Sequence, residues 1–274
     1  MEISMFGPLQ VRDGARVLGP RDLGGVKPRH VLELLLLARG HRVWTDMIAT
    51  ALWPERKEPR NVVATLNTYV CVLRHSMFDD QARARRVIVT EPGAYRLALD
   101  EIDLDLDRFD HLVLRAESAP RQERLELLSE AVTLSDGPLL EDARYDEWVQ
   151  EDRLVYEDRA VRAHLDLALD WLVEGEGSTC LRHAEQALAR DRYSEEAYRL
   201  VILSNHVLGR HDAVRRAMSR LSAVLDRDLG VGYDPETQRL VSAIRSRLPK
   251  SDIVSSFYPA ALSRAETAGA LSVA

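Results

Sequence analysis

Between residues 60 and 75 the chain gathers Asn61 and Asn67, Thr65 and Thr68, Ala64, Arg60 and Arg74: amides, hydroxyls, a methyl group and guanidinium groups in one short stretch. Such groups hydrogen-bond base edges, touch thymine methyls and grip phosphates. Their spacing matters as much as their type. Val62, Leu66, Tyr69, Val70, Leu73 and Met77 recur at three- and four-residue steps, so they share the inward face of a helix. Ala64, Thr68, Cys71 and His75 fall on the opposite face, flanked by Arg60, Asn61, Thr65, Asn67 and Arg74. A helix that enters a major groove needs small residues for close approach, polar groups for base edges and cations near phosphates, and this face offers all three. An ordinary half-exposed bundle helix, the alternative, carries a solvent face richer in Lys and Glu.

Such a helix reads DNA only if neighbouring elements hold it in place. Upstream, Pro28 suits a first helical turn, and Val31, Leu32, Leu34, Leu35, Leu36 and Leu37 make the segment after it a central, mostly apolar helix. Thr45 is expected to cap a second helix, Asp46 to Trp53, which Pro54 stops. With the helix over 62–77 this is helix-turn-helix order. After a charged break, Val87, Ile88 and Val89 favour a strand, Pro92-Gly93 a turn, and Tyr95, Leu97 and Leu99 a returning strand, which together form a wing. Glu2 to Arg12 and Ala15 to Leu18 predict a small N-terminal sheet around the Asp13-Gly14 turn.

These residues resemble the Streptomyces antibiotic regulatory proteins, whose N-terminal domain is a winged helix of the OmpR type. Thr65 to Arg74, TLNTYVCVLR, is similar to that family's TLQTYVYQLR-type recognition helix, and Ala51-Leu52-Trp53 to its ALW before Pro or Gly. The opening FGPLQVRDG, Phe6 to Gly14, resembles the family's first hairpin, and GAYRL, Gly93 to Leu97, its wing. The likeness runs to about residue 248, with Asn67 in place of the usual Gln, and Cys71 and Val72 in place of a bulkier, more polar pair. The resemblance implies a pathway-specific activator of a secondary-metabolite (antibiotic) gene cluster. It also implies side-by-side copies on direct repeats of double-stranded DNA, contact with RNA polymerase holoenzyme, and the small form that lacks the ATPase module and sensor repeats of larger relatives.

Net charge supports a division of labour. Residues 1–99 hold 15 Lys+Arg against 10 Asp+Glu, an excess of +5, while the remainder holds 22 against 34, or −12, recovering the overall −7. A basic front suits phosphate contact, and an acidic rear stays off the duplex. No apolar run nears the ~20 residues of a membrane span and no signal pattern opens the chain, so a cytoplasmic, nucleoid-associated protein is expected. Cys71 and Cys180 fall on different predicted domains, which argues against both a disulfide framework and a four-ligand zinc site.

The domain boundary is placed at 99/100, in an acidic connector. There Asp103, Asp105 and Asp107 would line one side of an extended segment, with Asp107 capping a helix from Arg108. The spacing lacks the Gly turn and distal Glu of a calcium loop, so no metal is expected. From 100 to 248 the period is helical, interrupted at Gly137-Pro138 and Gly175–Gly177. Cys180-Leu181, Ala184 and Leu188 correspond to Ala213-Val214, Ala217 and Leu221 at an offset of 33, near the ~34-residue tetratricopeptide period. This predicts an all-α, TPR-like domain, which the resemblance identifies as the bacterial transcriptional activation domain. The chain as a whole is therefore mainly α behind an α+β winged helix. Residues 249–274, rich in Ser and Ala, read as a disordered tail.

An enzyme is not expected. His111, His164, His183, His206 and His211 show no metal or triad spacing and read as surface histidines. HExxH and GxSxG are absent, and Gly19 to Gly25 lacks the Lys-Ser/Thr of a P-loop. No cofactor is implied. The stronger rival is a TPR-like interaction adaptor whose winged helix does not read DNA. The expected DNA contacts are Asn61, Ala64, Thr65, Asn67, Thr68 and Arg74 at bases or adjacent phosphates, and Arg60 at phosphate. Gly93 lets the wing tip approach the backbone, and Arg96 reaches phosphate or the minor groove.

Overall fold

The computed structural model describes residues 1–54, 57–246 and 256–257, and apart from these last two the expected tail lies outside the described residues. Two compact units form: residues 1–110 with 134–156, and residues 111–133 with 157 onward. The division therefore does not follow a single cut along the chain.

In the first unit, β1 (Glu2–Ser4), β2 (Gln10–Asp13) and β3 (Arg16–Leu18) pair antiparallel. The register sets Ile3 opposite Val11 and Val11 opposite Leu18, so all three bury on one face of the sheet. Helix α1 (Val26–Leu37) has Pro28 in its first turn and buries Val31, Leu32, Leu35 and Leu36. Strand β4 (Val43–Trp44) leads into α2 (Thr45–Leu52), and then come α3 (Val62–Met77) and α4 (Gln81–Val87). The wing is β5 (Ile88–Glu91) and β6 (Ala94–Leu97), in a three-stranded sheet ordered β4-β6-β5.

Three expectations are corrected here. The charged break contains α4, which starts because the Asp80 carboxylate accepts a hydrogen bond from the Ala82 amide at 2.8 Å. Helix α2 begins one residue earlier than read, with Trp44 rather than Thr45 at the cap position and no side-chain cap bond; the Thr45 amide instead donates to the Gly93 carbonyl of the wing. The acidic connector is ordered structure. Its β7 (Asp103–Leu104) pairs parallel with β1, and α5 (Asp105–Ser118) starts at Asp105, before Asp107. Asp105 is buried because its carboxylate accepts from the amides of Met5 at 2.7 Å and Phe6 at 2.9 Å, and Asp107 pairs with Arg39 at 2.5 Å. Neither bond can be inferred from local spacing.

Residues 134–156 complete this unit. The Leu140 amide donates to the Met5 carbonyl at 2.7 Å, the Gly7 amide to the Pro138 carbonyl at 2.8 Å and the Leu9 amide to the Asp142 carboxylate at 2.9 Å.

The second unit is helical, from α6 (Arg121–Leu134) and α7 (Gln150–Val173) through α8 (Gly177–Arg190), α9 (Glu195–Val207), α10 (His211–Val224) and α11 (Pro235–Arg245). Cys180, Ala184, Leu188, Val214, Ala217 and Leu221, the residues of the 33-residue offset, enter one core with Leu200, Ile202 and Leu240. His164, His183 and His206 are buried, which corrects their reading as surface histidines. The Nδ1 atoms of His164 and His183 lie 3.4 Å apart, so one ring donates to the other, and burial pushes both down to about 4. Both are neutral near pH 7 and hold the helices together as a polar contact inside the core.

Candidate nucleic-acid interface

Helix α3 carries the candidate surface. Leu66, Val70, Leu73 and Met77 are buried on its inner side, while Val62 and Tyr69 are half-buried, Tyr69 stacking on Trp53 with 6.3 Å between ring centroids. Asn61, Val63, Ala64, Asn67, Thr68, Cys71 and His75 are exposed on the other side. The sequence period thus divides the helix as its residues predict.

Several of the polar groups on that side are already engaged. The Asn61 side-chain oxygen caps α3 by accepting from the Ala64 amide at 3.0 Å, which leaves its NH2 group for a ligand. The Thr65 hydroxyl donates to the Asn61 carbonyl at 2.9 Å, and the Thr68 hydroxyl to the Ala64 carbonyl at 3.0 Å. With their protons turned to the helix backbone, both threonines present a methyl group and lone pairs. Together with Ala64 and Val63 they make a surface rich in methyl groups, the kind that packs on thymine C5-methyls.

The wing is tied to α3 by side chains. Arg74 donates to the Ile88 carbonyl at 2.5 Å and to the Thr90 hydroxyl at 2.9 Å. Its guanidinium is turned to β5, where the sequence reading has it facing bases or phosphates, and burial lowers its pKa. The Tyr95 hydroxyl, on β6, donates to the Asn67 side-chain oxygen at 2.8 Å. Arg96 pairs with Glu91 at 2.9 Å, and Arg42 pairs with the same carboxylate. At the wing tip Gly93 adopts φ 71 directly after Pro92, the combination a type II turn requires. A Cβ there would meet only the Trp44 ring, at 3.9 Å, so backbone conformation selects glycine at this position. Arg60 is exposed beside the α3 cap.

The structure therefore gathers Asn61, Ala64, Thr65, Asn67 and Thr68 on one helical surface, sets Gly93 and Arg96 on the wing, and uses Arg74 to join the two. The sequence reading missed Tyr95 as a site residue, because its partner lies 28 positions upstream on a different element. It also missed Arg85, exposed in the last turn of α4 and close enough to Arg74 to act on it electrostatically; the cap at Asp80 is the signal for that helix.

Comparison with known proteins places the chain among transcriptional regulators. Residues 104–245, just over half its length, match the bacterial transcriptional activator domain family. The chain is 32% identical to the transcriptional regulatory protein MoaR1 of Mycobacterium tuberculosis, over 93% of this chain and 82% of that one. It is 26% identical to the regulatory protein DnrI of Streptomyces peucetius, over 96% of this chain and 98% of that one. Among solved structures it resembles Mycobacterium tuberculosis EmbR in complex with a low-affinity phosphopeptide, with a TM-score of 0.78 and 26% identity over 99% of this chain and 70% of that one.

Proposed function

The chain belongs to the Streptomyces antibiotic regulatory protein family of transcriptional activators, and from that premise we propose that it binds duplex DNA sequence-specifically, with α3 in the major groove and the β5–β6 wing on the flanking backbone. The observation that carries this reading is the uncovered face of α3, where methyl groups and side-chain NH2 groups stand on a helix whose other face is closed by Leu66, Val70, Leu73 and Met77. Sixteen residues span about 24 Å, enough to lie along a groove.

In this account Asn61, Ala64, Thr65, Asn67 and Thr68 meet base edges and thymine methyls, while Arg60 and, through the wing, Arg96 meet the backbone. Arg74 keeps the wing at a fixed distance from the helix. Two copies sit side by side on direct repeats, which compensates for the modest positive charge of a single front end. The helical domain contacts RNA polymerase holoenzyme, so that a weak promoter in a secondary-metabolite gene cluster is used. The protein works in the cytoplasm, on the nucleoid; among the described residues no helix is long and apolar enough to cross a membrane.

Footprinting on DNA flanking the protein's own gene tests the proposal. The expected result is protection of a pair of repeats about one helical turn apart. Absence of protection, together with no salt-sensitive affinity for any duplex, would overturn it.

A further inference from the structure

The hydrogen bond between Tyr95 and Asn67 limits what α3 can read. Tyr95 is buried in β6 and its hydroxyl reaches the Oδ1 atom of Asn67 at 2.8 Å, whereas the Asn67 side chain is otherwise exposed in the middle of the uncovered face. A hydroxyl can donate or accept, so its surroundings decide. The Arg74 guanidinium, fixed on Ile88 and Thr90, lies close enough to act on the Tyr95 hydroxyl electrostatically. A cation there attracts the hydroxyl lone pairs and turns its proton toward Asn67. The amide therefore faces Tyr95 with its oxygen and the outside with its NH2 group, which has no partner among the described residues.

Recognition of adenine by asparagine uses both ends of the amide, the oxygen accepting from N6 while the nitrogen donates to N7. With Oδ1 turned inward to the buried Tyr95, the oxygen and nitrogen cannot both face one base, and that paired contact is closed. An outward NH2 group fits the major-groove acceptors, N7 of adenine or guanine, O6 of guanine and O4 of thymine, and meets only a donor, the N4 amino group, at cytosine. The adjacent hydroxyls do not supply a competing donor, because Thr65 and Thr68 direct their protons to the helix backbone.

We propose that Tyr95 is a positioning residue that restricts Asn67 to donating, and so removes the two-point preference for adenine and rejects cytosine at the base Asn67 meets. This rests on the DNA-reading function proposed above. The test is selection from a randomised duplex library by the full chain as wild type, Asn67→Ala and Tyr95→Phe. The wild type is expected to disfavour cytosine about tenfold against the other three bases at one position, a preference that Asn67→Ala erases at that position alone. Tyr95→Phe frees Oδ1 and is expected to make adenine the favoured base there, by about tenfold over guanine and thymine. An Asn67-dependent preference in the wild type for cytosine, or for adenine over guanine and thymine, overturns the proposal, as does an unchanged base preference in a Tyr95→Phe protein that melts like the wild type. If Tyr95→Phe does not fold, the wild-type and Asn67→Ala arms decide alone, since Asn67 is exposed. A wild type that retrieves no sequence and shows no salt-sensitive duplex binding fails the DNA-reading function itself. Failure confined to the base preference leaves that function standing.

Discussion

Helices α3 and α9 both carry apolar residues and uncharged polar ones, yet they are used in opposite ways. Helix α9 is buried at every position from Ala197 to His206, and the described interactions of its polar groups are internal: Arg199 binds Asp234 at 2.6 Å, the Ser204 hydroxyl donates to the Leu200 carbonyl at 2.7 Å and Asn205 donates to the Val201 carbonyl at 2.8 Å. Helix α3 buries only Leu66, Val70, Leu73 and Met77, and holds an amide face to solvent. A helix closed all round serves a core, and one with a single closed stripe has a face left for a partner. What distinguishes α3 from an ordinary surface helix is the chemistry of that face, which carries methyls and amides where solvated helices carry Lys and Glu.

The contrast breaks most easily at α9. Leu200 has no solvent exposure, so Leu200→Ala is expected to cost about 2–5 kcal/mol by chemical denaturation, and a cost below about 1 kcal/mol would mean that α9 is not closed. Glu33 on α1 sharpens the comparison, because it is as buried as α9 but poorly satisfied. Its Oε1 lies 3.1 Å from Arg29 Nε, yet among the described residues neither carboxylate oxygen makes an aligned hydrogen bond. Burial pushes its pKa up to about 7 from the ordinary 4.5. Because the folded value exceeds the unfolded one, the folded state keeps a proton that the unfolded chain releases. The stability this provides is fully present below the unfolded value and lost as pH rises through about 7. The thermal midpoint should therefore fall between about pH 5 and pH 8, and the permanently neutral Glu33→Gln should flatten that fall by the equivalent of about 2 kcal/mol. Parallel curves for the two proteins would place the titration elsewhere.

Two smaller effects probe the open face of α3. Asn67→Ala is expected to cost about 1 to 2 kcal/mol of affinity on the cognate repeat, the scale of a single base contact, with little loss on random DNA and little change in melting. Equal losses on both duplexes would remove Asn67 from base reading. Arg60→Ala should weaken binding to every sequence by about 1 kcal/mol and lower the salt slope by about one, whereas an unchanged slope would take Arg60 off the phosphate.

Local patterns in the sequence show the helix and the wing and miss what long-range bonds determine. Leu66, Val70, Leu73 and Met77 carry a helical period readable without a structure, and Pro92-Gly93 announces the wing turn. The repeat at Cys180, Ala184 and Leu188 is visible for the same reason. Helix α4 was obscured because Asp80 sits among charges that read as a solvated break, although it is a cap. Asp105 could not be told from its neighbours Asp103 and Asp107, since the amides of Met5 and Phe6 that hold it lie about a hundred residues away. The histidines read as surface residues because no spacing shows that His164 and His183 face each other across a core. At the interface itself, residue types on α3 were legible but their orientation was not. Arg74 turning to the wing and Tyr95 holding Asn67 are contacts between elements, which propensity and period do not encode.

The most direct measurement is the affinity of the purified full chain for a footprinted duplex and for a scrambled duplex of equal length, each across a salt series. If the open face of α3 reads DNA, log K falls linearly with log salt with a slope of several, and the footprinted duplex is favoured by roughly a thousandfold or more. An affinity that ignores salt, or equal affinity for the two duplexes, would contradict the account.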